Sequence, residues 1–116
     1  PEVRSRAAWA LRDTPTAEAR HALVELSTDA DRRVAPAAVK AMIRQPLEAA
    51  DLERLERAVT GDAKLAEATQ AALIDLLSRH LESGASVRRM LEAIVARNDH
   101  SPHLQARARV LLTQTH

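Results

Sequence analysis

The chain has 116 residues, 17 basic and 16 acidic side chains, a formal net charge of +1 and 46% apolar residues. That is one domain's length, too apolar for a disordered tail and too nearly neutral for whole-domain attraction to nucleic acid or an anionic membrane. With 24 Ala and 15 Leu but two Gly, one Trp and no Phe, Tyr or Cys, it excludes a β-sandwich or barrel, disulfides and thiol chemistry, and favours closely packed helices.

Apolar positions at helical spacing predict seven helices. The first covers 1–12, with Ala7, Ala8, Ala10 and Leu11; the second covers 16–28, with Ala19, Ala22, Leu23 and Leu26. The third covers 32–45, but its Pro36 would then clash with the carbonyl of Arg32, so a start nearer Ala35 is expected. The fourth, 48–60, carries Leu52, Leu55, Ala58 and Val59, and the fifth covers 63–82, with Leu73 expected in the central core. The sixth, 85–98, carries Val87, Met90, Leu91, Ile94 and Val95; the seventh, 102–114, carries Leu104, Ala108, Leu111 and Leu112. Gly61 and Gly84 are expected as left-handed caps. Ser101-Pro102 reads as an N-cap and first-turn proline. Asp13, Asp29, Asp31, Asp62 and Asp99 fall in connections, as caps or turn closers. No run of about 18 apolar residues exists, so no membrane span is expected.

The chain repeats itself. Val3 to Leu11 aligns with Val34 to Met42, and Pro15 with Pro46, at an offset of 31 residues. Leu65 opens a third stretch 31 residues on and Leu104 a fourth 39 residues later, so the third unit is expected to be longer by about two helical turns. Units fall near 1–31, 32–62, 63–99 and 100–116 of one domain.

This period, with two helices per unit and the opening Pro1-Glu2-Val3-Arg4 followed by Ala7, Ala8, Ala10 and Leu11, resembles a HEAT repeat. It is most similar to the short bacterial kind found in phycobilin lyase-like proteins. Ala35 replaces that pattern's usual Arg, and the units at Leu65 and Leu104 match only in hydrophobic register. The resemblance implies an all-α, right-handed solenoid of stacked antiparallel helix pairs, with protein binding as the commonest role. It also implies that Arg4 pairs with a turn acid such as Asp13. Tetratricopeptide repeats share the period but need large aromatics at set positions, and only Trp9 is present. The first helix begins in mid-motif and the last has no partner helix, so a segment of a longer protein is expected. Ala and Arg richness points to a GC-rich bacterial genome, on composition alone.

Two sets of residues are candidates for binding. In such an array the second helix of each pair lines the concave face, which assigns partner contacts to Glu18, His21, Glu25, Glu53, Glu56, Arg57, Arg88, Arg89 and Glu92. The bland counterpart is a solvated face of weak ion pairs. Fifteen of the 17 basic residues are Arg. If Arg4, Arg12, Arg33, Lys40, Arg44, Arg107 and Arg109 align, they make a basic stripe able to contact phosphates. Acids on the fifth helix interrupt it, and no aromatic–basic interleaving supports base stacking. Trp9 is expected in the core or on a half-exposed end face.

His100-Ser101-Pro102-His103 after Asp99 has metal-ligand residue types for Zn²⁺ or Ni²⁺ but no third ligand, so it reads as a polar loop and cap. No catalytic or phosphate-loop motif is present. The expectation is a non-catalytic interaction scaffold without metal, cofactor or small-molecule substrate. Its partner would be another protein or a neighbouring domain of the same chain. The competing readings are a nucleic-acid-binding helical repeat and an accessory domain of an enzyme whose active site lies outside this chain. The compartment is not legible, with a soluble, cytoplasmic location as the default.

Overall fold

Ala-rich faces and one-sided Leu stripes fold into helices throughout. The computed structural model describes residues 2–31, 33–61, 65–97 and 101–114, which hold seven α-helices and no strand. These are α1 (Glu2–Ala10), α2 (Ala17–Leu26), α3 (Val34–Ile43), α4 (Ala49–Val59), α5 (Glu67–Leu77), α6 (Ala85–Arg97) and α7 (Pro102–Leu112). A 3-10 turn, Leu11–Asp13, extends α1. Thr16 caps α2, its hydroxyl accepting from the Ala19 N–H at 3.2 Å.

Several boundaries differ from expectation. α3 starts at Val34, close to the later start that Pro36 demanded, so the ring lies in the first turn, where no intrahelical N–H bond is lost. α5 stops at Leu77 rather than near 82. The N–H groups of Arg79 and His80 bond carbonyls three residues back, on Leu76 and Leu77, which tightens and ends the helix. The extra length of the third unit therefore lies partly in the connection 78–84, not in a longer helix. Gly84 has φ +107° but directly precedes α6 instead of capping α5. Gly61 is not in the left-handed region; α4 ends through Thr60, whose N–H reaches the Glu56 carbonyl. Ser101 makes no side-chain cap on α7, and its hydroxyl instead reaches Glu67 at 3.4 Å. Asp62 and Asp99 lie outside the described residues.

α1 and α5 each pack chiefly on α3, and α4 packs on α2 and α6. Of the consecutive helices, α2–α3 and α6–α7 touch most closely. The Cα radius of gyration, 13.1 Å, is that of a compact chain of this length. Burial concentrates in the middle. α3 buries Val34, Ala35, Pro36, Ala38, Val39, Ala41 and Met42, and α5 buries Leu73, Ile74, Leu76 and Leu77 among others. α1 buries only Ala8, and α7 only Leu104 and Ala108.

Polar side chains tie one unit to the next. Buried Arg20 on α2 donates to buried Asp51 on α4 at 2.7 Å, across 31 residues. Arg44 reaches Asp13 at 2.9 Å across the same interval, and Gln45 donates to the carbonyls of Leu11 and Thr14 at 2.6 and 2.8 Å. Arg97 donates to the carbonyls of Val59, Thr60 and Gly61 at the C-terminus of α4, where a cation is favoured by the helix dipole. Arg4 does pair with a turn acid, but it is Asp29 at 2.9 Å, not Asp13. Arg4 sits at the start of α1, and Asp13 lies past its other end, about 13 Å along the axis.

Candidate functional site

The α1–α3 packing leaves a groove of about 670 Å³. α1 and its 3-10 extension contribute Ser5, Arg6, Trp9, Ala10 and Arg12; α3 and its N-cap contribute Arg33, Pro36, Ala37 and Lys40; α5 contributes Ala68. The repeat explains the assembly. Arg6, Ala37 and Ala68 stand 31 residues apart, as do Ser5 and Pro36, and Trp9 and Lys40. Residues 31 positions apart in the sequence thus line one groove. Ala10, Ala37 and Ala68 are small, which leaves the surface between the larger side chains hollow.

Its lining combines apolar surface with four cations and no acid. Trp9 is 45% exposed, so of the two places expected of it the core is excluded. The Arg12 guanidinium lies 4.5 Å from the ring centroid, and its Nη1 donates to the Trp9 carbonyl at 2.8 Å. That stack and hydrogen bond hold the indole in place, the cation–π part giving about 0.5–1 kcal/mol at an exposed site. Arg6 pairs with Glu2 at 2.9 Å, Arg33 with Asp31 at 3.4 Å and Arg12 with Asp13 at 3.6 Å, while Lys40 has no ion pair among the described residues. Exposed pairs of this kind contribute at most about 1 kcal/mol, so a ligand can exchange them.

The basic stripe is only partly assembled. Arg12, Arg33 and Lys40 meet at the groove, whereas Arg4, Arg44 and Arg107 are held by Asp29, Asp13 and Asp75. Arg109 stands apart on exposed α7 surface. Trp9 is a site residue that a charge count does not single out, and its 31-residue alignment with Lys40 is the signal that finds it; Arg6, a cation beside Arg4 and Arg12 on the first helix, is legible by charge.

The second-helix candidates are spread over α2, α4 and α6. Glu18, His21 and Glu25 on α2 are exposed, as are Glu53 and Arg57 on α4. Glu56 and Arg89 satisfy each other in a fork, at 2.5 and 2.8 Å, and Arg88 pairs with Glu92 at 3.5 Å. The hydrogen bonds from Arg89 hold the Glu56 carboxyl below its usual range and raise the guanidinium. Asp29 is lowered first by the Asp31 N–H and then by Arg4, and Asp31 chiefly by the Arg33 N–H. Among the described residues no group of three or more His, Cys, Asp or Glu could hold a metal ion; Asp99 and His100 lie outside them. No described helix is long and apolar enough to cross a membrane.

His80, in the connection between α5 and α6, is pushed below its ordinary value of 6.5 by burial, with a smaller push from Arg79. The folded chain therefore disfavours the charged ring more than the unfolded chain does. Its contribution is complete above 6.5 and is lost as pH falls, because the unfolded chain takes up the proton first. The melting temperature should be lower at about pH 5.5 than at about pH 7.5, and His80→Gln should flatten that dependence. An equally steep dependence in the variant would assign it to other groups. The lowered carboxylates Asp29, Asp31 and Glu56 titrate below this window.

No family model matches the chain, and comparison with curated proteins and with solved structures likewise finds no match.

Proposed function

We propose that this chain is a non-catalytic interaction module of HEAT-like design, a right-handed helical stack whose binding surface is the α1–α3 groove. The observation that carries this reading is the groove itself: a hollow of small-ligand size, lined by residues 31 positions apart in the sequence and ringed by Arg6, Arg12, Arg33 and Lys40. The serial packing of α1, α3 and α5, and of α2, α4 and α6, supports the repeat stack. So do the bonds from Arg20 to Asp51 and from Arg44 to Asp13 at one repeat period. Such a stack presents its surface at little ordering cost, which favours shape-based binding. Duplex nucleic acid fits less well, because Arg4, Arg44 and Arg107 lie outside the groove's lining and the chain's net charge is +1.

A photo-crosslinking amino acid placed at Ala37, in the groove, and separately at His21, on α2, tests this in the native cell. Protein adducts concentrated at Ala37 are the expected result. Adducts only at His21 would move the surface to the even-numbered helices, and nucleic-acid adducts at Ala37 would overturn the reading.

A further inference from the structure

Resting on that reading, we infer that the groove takes an acidic segment of a partner protein, with an apolar side chain of that segment seated between Trp9 and Ala37. Charge complementarity argues for the acid. Four cationic side chains line one hollow with no carboxylate among them, and Lys40 lacks an ion pair among the described residues. Arg forks match carboxylates bidentately, and the pairs to be exchanged are exposed and weak. The floor argues for the apolar anchor. Trp9, Ala10, Ala37 and Ala68 offer apolar surface that a phosphate backbone would leave uncovered. Arg12 already lies over the Trp9 ring, so a base stacking on that face would have to displace it. Beyond the groove, Asp13, Asp29 and Asp75 neutralise the neighbouring arginines. The positive region therefore fits a few side chains rather than a long polyanion.

Trp9 is the chain's one tryptophan, so its fluorescence reports the groove directly. The probe is a 12-residue synthetic peptide with Leu at two positions four apart and Glu or Asp at most others. Three controls accompany it: a Glu-only peptide of equal charge, the same Leu peptide with Gln for every acid, and a 12-nucleotide single strand. The expected result is a saturable change in Trp9 emission with the acidic Leu peptide, and at least about tenfold weaker binding of both peptide controls. With a labelled peptide, Lys40→Glu and Trp9→Ala should each weaken binding by about tenfold while leaving the helical melt in place. Binding of the nucleotide in preference, equal binding of the Glu-only peptide, or no saturable response at low salt would overturn the inference. Groove crosslinks to a partner that lacks an acidic segment would sink the inference alone. A groove that captures no protein would sink the functional reading with it.

Discussion

Leu73→Asp should abolish the cooperative helical melt at room temperature. Leu73 is fully buried in α5, in the same core cluster as Met42, Leu55 and Met90. An unpaired carboxylate there loses its hydration and finds no partner, a penalty of several kcal/mol. A domain of this size has only about 5–15 kcal/mol of total stability, so the folded population should largely disappear. Leu73→Ala removes packing without adding charge and should cost about 2–5 kcal/mol, leaving a lowered but still cooperative melt. Val110, 57% exposed on α7, supplies the contrast. Val110→Asp should change stability by no more than about 0.5 kcal/mol. Circular dichroism across a temperature ramp reads all three, and an unmoved melt for Leu73→Asp would contradict the core described above.

The second large effect is expected where α2 meets α4. The side chains of Arg20 and Asp51 retain 8% and 5% of their exposure, and removing one member leaves the other charge buried. Such losses typically cost about 3–5 kcal/mol. Asp51 also accepts the Glu48 N–H at 2.9 Å at the start of α4 and lies 3.4 Å from Arg54. Asp51→Ala should therefore be the more damaging change, because it removes a helix-start bond together with the ion pair. Arg20→Met keeps the aliphatic volume and leaves Asp51 its other partners, so it should fall at the low end of that range. In a double-mutant cycle the pair should be non-additive by more than about 1 kcal/mol. Additivity within about 0.5 kcal/mol would mean that the two side chains do not meet in solution.

The repeat was the most informative feature of the sequence, and it reached further than the helix pattern alone. Apolar spacing located all seven helices, because each buries a stripe that must recur at 3.6 residues. It overran at α5, where Leu81 continues the apolar run although the backbone has already tightened after Leu77. It also missed the buried pair. Within α2, Arg20 reads as a solvent-facing residue beside Ala19, and Asp51 as an ordinary first-turn acid; only their 31-residue separation relates them. The groove was half legible for the same reason. Arg6, Arg12, Arg33 and Lys40 are legible by charge, but Trp9 and Ala37 join them only when α1 lies along α3. The second-helix candidates follow from phase alone, and phase does not reveal that Glu56 and Arg89 satisfy each other.

The uneven burial of the helices sets how the groove behaves as a clasp. One jaw is α3, anchored by seven buried residues, and the other is α1, which buries only Ala8. Local opening follows such differences, so amide protons of residues 2–10 should exchange far sooner than those of 34–43. An occupant bridging Arg6 to Lys40 would tie the loose jaw to the fixed one. Its affinity would be reduced by the ordering of α1, and its arrival would be recorded as slowed exchange along that helix. The same asymmetry gives the module an adjustable grip, since any change that firms α1 tightens binding without touching a single contact residue.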